Sequence, residues 1–257
     1  VPINGLNYSP HPDLLINQPN VYLSMGLTAE NVAKKYNLSR KEQQDFAILS
    51  HTNAAKSQLS KNFDQEITII KKDNIEVKID GGIRPNTSQE ILNNLKLVFD
   101  ENGTITAGTA SPLTDGASAT LVCEEEYAKA NKLPIIARIK STAIQGCPPE
   151  LMGLGPINAS KKALKRANLE IKDIDIVELN EAFASQSIAC IKELKINPEI
   201  VNIEGGAIAL GHPLGATGTR ITAKAASLMI KHNKKYALAT QCIGLGQGIA
   251  TVLERVE

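Results

Sequence analysis

Residues 205–220 read GGAIALGHPLGATGTR. Five glycines surround one histidine, His212, and a helix begins where the run ends. Glycine lets the backbone approach a ligand closely, and a helix N-terminus favours developing negative charge. Pro213 holds His212 in a tight turn. A lone histidine is ordinarily a structural residue. In a glycine-rich turn at a helix start, a structural and a catalytic role stand level.

Two segments flank this run. Upstream, IKDIDIVEL (171–179) reads as a strand with Ile174, Ile176 and Leu179 buried, and EAFASQSIACIKEL (181–194) as a helix with apolar positions at helical spacing. Asn180, between them, falls at the rim where open α/β sheets bind ligands. Taken alone it reads first as a helix N-cap. Downstream, helix 217–232 leads to two strands, YALATQC (236–242) and GIATVLERV (248–256), expected to pair antiparallel around the glycine turn of CIGLGQG (242–248). Cys242 therefore also sits at a sheet rim, beside N–H groups able to form an oxyanion hole. Alone, it reads as a buried cysteine next to a hairpin.

Further out, IIARIKSTAI after Pro134 reads as a strand and 158–168 as a helix. Strands alternating with helices indicate an α/β layer. In the first half, 1–23 reads as a loop holding four of the 12 prolines. Thr28 is the expected N-cap of a helix over 29–36, and Ser39 with Glu42 form a capping box opening a helix to about 60. Residues 66–79 read as two short strands around a Lys-Lys-Asp-Asn turn, 87–94 as a short helix, and 124–131 as another.

The chain of 257 residues is long enough to bury a sizeable core. Its 28 Lys and Arg balance 27 Asp and Glu, which argues against nucleic acid or an anionic membrane as the main partner. No apolar run approaches a membrane span. Four cysteines (Cys123, Cys147, Cys190, Cys242) include no CxxC pair, so neither a zinc site nor a redox dithiol is expected. Most are expected to be buried and reduced. The opening VPINGLNYSPHPDLL has neither a charged nor an apolar signal region.

Together the three segments resemble the C-terminal signatures of the thiolase family, in that family's order. The likeness continues through MGLTAENVAKKYNLSRKEQQDFA (25–47), GTITAGTASPLTDGASA (103–119) and MGLGPINASKKALKRANL (152–169). The TAGTAS wording and the CIGLGQGIATVLERV ending are most similar to the bacterial degradative type, the β-subunit of the fatty acid oxidation complex. The resemblance implies a layered α/β thiolase-like fold: a CoA-covering loop region over 1–105, the close of the N-terminal domain over 106–133, and a complete βαβαβαββ C-terminal domain over 134–257. It also implies cleavage of a 3-ketoacyl-CoA by coenzyme A to acetyl-CoA and a shortened acyl-CoA.

Carried over by resemblance, His212 activates the nucleophilic cysteine and helps bind the thioester oxygen, while Asn180 fixes a water that completes that oxyanion hole. Cys242 is the second acid–base group, for which its pKa must be brought near working pH. The Gly244 amide contributes to a second oxyanion hole. Arg84 matches the arginine near the adenine and phosphates of CoA, and Ser111 the serine that meets the pantetheine arm. Met25, Met152 and Phe183 match apolar walls near the acyl end. Coenzyme A is a substrate, and no cofactor is implied. The family also implies a homodimer, a hydratase/dehydrogenase α-subunit as partner, and a cytoplasmic setting.

Two departures stand out. Ser24 occupies a position where biosynthetic relatives carry histidine, which weighs against a short-chain synthetic enzyme. The family's nucleophile segment, of Cys-Gly-Ser type, has no match: Cys123 lies in LVCEEE, Cys147 in QGCPPE, and Cys190 at a helix core position. Without an acyl-accepting thiol the two-step transfer cannot run. The chain by itself is expected to be inactive and to expose apolar surface where missing strands would pack. An N-terminal thiolase segment is then the partner it needs. The alternatives are a non-catalytic acyl-CoA-binding or scaffold remnant, and a decarboxylating condensing enzyme of the same superfold, against which the Cys242 motif argues.

Overall fold

The computed structural model describes residues 10–256. Its helices and strands run α1 (Pro12–Asn17), α2 (Met25–Lys35), α3 (Arg40–Leu59), β1 (Ile70–Lys72), β2 (Ile75–Val77), α4 (Gln89–Asn93) and α5 (Glu125–Ala130) in the first half. They continue as β3 (Arg138–Gly146), α6 (Gly155–Ala167), β4 (Ile176–Leu179), α7 (Ala184–Leu194), α8 (Ala207–Leu210), α9 (Leu214–Lys231), β5 (Tyr236–Ile243) and β6 (Gln247–Glu254).

The second half is a four-stranded mixed sheet in the order β3-β6-β5-β4. The β3–β6 and β6–β5 pairs are antiparallel and β5–β4 is parallel. Period-two alternation divides the side chains between two faces. Val177, Leu179, Leu238, Ala250 and Val252 meet Ala159, Ala163 and Leu164 of α6 and Cys190, Ile191 and Leu194 of α7. Ile176, Ala237, Ala239 and Leu253 meet Ile221, Ala225, Leu228 and Met229 of α9. The result is a helix–sheet–helix sandwich. Small residues on α6 and α9 let both helices lie close to the strands.

Two glycines bring α6 onto the β5–β6 hairpin. A Cβ on Gly248 would overlap the Gly155 backbone and lie 2.6 Å from Pro156 N, and one on Gly155 would lie 2.7 Å from Gly248 N. The first turn of α6 is thereby seated on the start of β6, next to the turn that follows Cys242.

In the first half, α2 and α3 pack against α7 through Val32, Ala33, Leu38 and Ala189, and through Ala47 and Ala184. The capping box is present, with Ser39 Oγ accepting from Glu42 N and Glu42 Oε2 accepting from Ser39 N at 2.8 Å. The β1–β2 hairpin is exposed along its whole length. Lys224 of α9 is buried and donates to both oxygens of Glu66 and to Glu204, tying the end of the first half to the second.

Several expectations are corrected. The part of the 1–23 loop that is described holds α1 and a 3-10 turn over Pro19–Tyr22, because Pro12 is preset for helix and His11 caps Asp13 N; residues 1–9 lie outside the described residues. The N-cap of α2 is Ser24, not Thr28, whose hydroxyl donates instead to Met25 O at 2.7 Å. Helix α6 begins three residues early, at Gly155–Pro156, and the 171–179 strand opens as a 3-10 turn (Ile171–Asp173) held by Glu170 and Asp173. The βαβαβαββ pattern needs a strand between α7 and α9. Only a single parallel bridge, Val177–Val201, stands there, because the Asn202 side chain, not a ladder, bonds Leu179 N and O. Of the cysteines, Cys190 and Cys242 are buried, Cys147 is half-buried and Cys123 is exposed.

Among the described residues no helix is long and apolar enough to cross a membrane, and no group of His, Cys, Asp or Glu is placed to hold a metal ion.

Candidate active site at the sheet rim

β4 and β5 are parallel, so their C-terminal ends reach the same edge of the sheet. Asn180 follows β4 directly and is anchored by donation of its N–H to Thr240 O at 3.0 Å. Cys242 lies two residues beyond Thr240 on β5. His212 arrives from a separate segment, through the one-turn α8, Gly211 (φ +86°) and Pro213. An L residue is strained at that positive φ, and a Cβ there would also press on Thr114. The His212 N–H donates to Thr114 Oγ1 at 3.3 Å, and Ser118 Oγ donates to Ala216 O at 2.7 Å. The GTITAGTASPLTDGASA block therefore runs alongside the histidine loop.

The hydrogen bonds order the His212 ring. Thr217 Oγ1 donates to Pro213 O at 3.0 Å, so toward the ring it can only accept. This arrangement assigns the proton to His212 Nδ1, 2.7 Å away. Nε2 is left with a lone pair, 3.3 Å from Asn180 Nδ2, which donates to it. Burial, reinforced by the nearby Arg220 guanidinium, holds His212 down to about 4, so the ring is neutral at pH 7 with its basic nitrogen toward Asn180. Asn180 Oδ1 is buried and has no protein partner, an acceptor open to a water or a substrate group. Thr217, which sets the tautomer, has no signal in the sequence beyond a position five residues after His212.

On the other side of the rim, Cys242, Met152 and Ala182 form a buried cluster against which Met25 and Phe183 pack. Four of the expected site residues thus share one apolar wall. Gly244 faces it, since a Cβ there would stand 4.0 Å from Met25 Sδ. Burial pushes the Cys242 thiol up to about 12, against the pull of its own backbone N–H. The apolar wall outweighs the glycine turn, so the condition that the thiol be brought near working pH is not met by this chain's own groups, and the group is a protonated acid at neutral pH.

Ser111 is fixed behind Phe183. Its N–H and its hydroxyl both donate to Ala182 O, at 3.0 and 3.1 Å. Arg84 is exposed on the loop after Gly82, with its N–H donating to His51 Nδ1 at 3.1 Å. The structure thus gathers Asn180 with His212, and Cys242 with Met25, Met152, Phe183 and Gly244, along one rim.

Burial of neutral His212 has a consequence for stability. Its folded-state value lies below the ordinary 6.5, so below pH 6.5 the unfolded chain binds the proton more readily. The contribution is complete above pH 6.5 and is lost as pH falls toward 4. His212→Gln is expected to remove at most about 3 kcal/mol of that acid-side decline, read from urea midpoints at a series of pH values. An unchanged pH profile would show that the ring is not desolvated.

Comparison with known proteins places this geometry. Residues 11–126 match the model of the thiolase N-terminal domain and residues 133–255 that of the thiolase C-terminal domain. The chain is 50% identical to the 3-ketoacyl-CoA thiolase of Shewanella loihica over 265 aligned residues, covering 99% of this chain and 68% of that protein. It is 50% identical to the 3-ketoacyl-CoA thiolase of Vibrio parahaemolyticus, covering 99% of this chain and 67% of that one. Among solved structures, human mitochondrial 3-ketoacyl-CoA thiolase in complex with CoA aligns at a TM-score of 0.87 and 36% identity, covering 98% of this chain and 66% of that chain. The Bacillus anthracis acetyl-CoA acetyltransferase aligns at 0.88 and 38%, covering 91% of this chain and 60% of that chain. The layered α/β fold is that of these thiolases, and the chain belongs to the thiolase family.

Proposed function

We propose that this chain carries the acid–base part of a 3-ketoacyl-CoA thiolase of fatty acid β-oxidation, and that by itself it is inactive for want of an acyl-accepting cysteine. In this reading residues 1–105 cover CoA, 106–133 close the N-terminal domain and 134–257 form the C-terminal domain. His212 takes the proton from a nucleophilic thiol supplied by a separate segment. Asn180 holds a water beside it, and the pair binds the thioester oxygen. The Cys242 thiol protonates the departing acetyl-CoA carbanion, and the Gly244 N–H faces the enolate oxygen. Arg84 meets the nucleotide end of CoA, Ser111 the pantetheine arm, and Met25, Met152 and Phe183 the acyl end. The working form is a cytoplasmic homodimer that joins a hydratase/dehydrogenase α-subunit.

The observation that carries this reading is the pairing of opposite proton states on one rim: a neutral imidazole with its lone pair turned inward, and a protonated thiol on the neighbouring strand. The need for a further segment draws on residues 112–124. They form no helix or sheet ladder, and Leu113, Leu121 and Val122 stand exposed on them.

The second reading is a non-catalytic acyl-CoA binder or scaffold, favoured by the setting of the cysteines: none lies in the segment expected of the nucleophile. The thiolase and acyl-CoA-binder readings require CoA binding, and the scaffold reading does not. Calorimetric titration of the chain with CoA is expected to show binding, and a flat titration would overturn the first two.

A further inference from the structure

Glu181 stands next to Asn180 and is 1% exposed. Its carboxylate accepts three hydrogen bonds from three different parts of the chain. Ser50 Oγ of α3 donates to Oε2 at 2.6 Å, Ile208 N of α8 donates to Oε2 at 3.1 Å, and Asn202 Nδ2 donates to Oε1 at 2.7 Å. The surrounding groups close the network. Ser50 Oγ accepts from Gly206 N at 3.2 Å. Asn202 brackets Leu179, accepting from its N–H at 2.9 Å and donating to its carbonyl at 2.8 Å. Ser50 and Asn202 are 3% and 4% exposed.

Two consequences follow from this geometry. The Glu181 side chain joins the chain that follows β4, which carries Asn180, to the start of the histidine loop directly at Ile208 and through Ser50 at Gly206. Between Ile208 and His212 stand only the rest of the single-turn α8 and Gly211, so a displacement at Ile208 passes directly to the imidazole. Gly206 is required here, because a Cβ would fall on the Glu181 carboxylate. A buried carboxylate is costly unless its lone pairs are filled, and this one meets donors only. Glutamine in its place would turn N–H groups toward Asn202, Ile208 or Ser50.

We infer that Glu181 is a positioning residue that fixes His212 against Asn180 by clamping the histidine loop to the end of β4. The inference rests on the reading of His212 as the working base. Its test uses the ring nitrogens, which report without substrate or a second polypeptide, so a failure of the thiolase reading is registered separately, in a turnover assay.

The experiment is NMR of the chain labelled with 15N-histidine, the His212 signals being identified by their loss in His212→Ala. The wild-type ring is expected to show one protonated nitrogen, Nδ1, and one bare nitrogen. Glu181→Gln is expected to replace this pattern by averaged tautomers. Leu194→Ala, in the core between α7 and the sheet, loses packing without touching the network and is expected to keep the wild-type pattern. If Glu181→Gln does not fold, Ser50→Ala is read in the same way, since it removes one donor from Glu181 and the acceptor of Gly206 N. Wild-type His212 signals in every folded variant of Glu181 and Ser50 would overturn the inference. A change of equal size in Leu194→Ala would overturn it too.

Discussion

His212→Ala is expected to lower thiolysis by about 10²–10⁴-fold, measured with this chain together with the portion of a related thiolase that it does not span. A suitable portion is the part of the Shewanella loihica relative that has no counterpart here, about a third of that protein, since this chain covers 68% of it. The size of the loss follows from what the ring is prepared to do. It is neutral at working pH because burial and Arg220 disfavour its charge. Its basic nitrogen is fixed inward because Thr217 spends its proton on Pro213 O. Alanine removes both the base and the partner of Asn180 Nδ2. The loss is expected in kcat, with KM for CoA little changed, because the CoA-contacting residues assigned here lie elsewhere. A drop confined to KM would mean that His212 binds substrate without moving a proton.

Gly248→Ala is expected to cost about 3 kcal/mol or more, read as a lowered urea midpoint. The new methyl group would meet Gly155 and Pro156 backbone atoms, which cannot rotate away as a side-chain end would. Relief requires α6 to lift from β6, disturbing the core built on Ala159, Ala163 and Val252. The turn after Cys242 moves with it, since Gly248 pairs with Cys242 across the hairpin. Gly215→Ala is the contrasting substitution. It lies in the first turn of α9 with nothing within 4 Å of its would-be Cβ. There alanine is expected to stabilise by about 0.5–1 kcal/mol through lost chain entropy in the unfolded state. Equal effects at the two positions would contradict the close approach of α6 to β6.

How much of this was legible in the sequence depended on how local the determining physics is. The capping box at Ser39–Glu42, the alternation of Ile176 and Ile174 with polar residues, and the paired strands around CIGLGQG are written in adjacent residues. So is the rim position of Asn180, which needs only a strand followed by a helix. What did not show was set by residues distant in sequence. The burial of Cys242 comes from Met152 and Ala182, so the glycine turn beside it does not reveal that its thiol is pushed up. The strand expected between α7 and α9 shrank to one bridge because Asn202 takes the place of a ladder on Leu179. Nothing adjacent in sequence sets Glu181 apart; the clamp inferred for it depends on Ser50, 131 positions away. Ser24 rather than Thr28 starts α2, a local competition between two good caps that spacing does not resolve.

The most direct measurement follows acetyl-CoA formation from a 3-ketoacyl-CoA and CoA by the 257-residue chain, alone and after addition of the complementary portion of the Shewanella relative. Alone, the chain is expected to give no turnover and no acylated cysteine by intact mass, and activity is expected to arise on addition. Turnover by the chain alone, or an acyl group found on Cys123, Cys147, Cys190 or Cys242, would contradict the assignment of this chain to the acid–base part of the reaction.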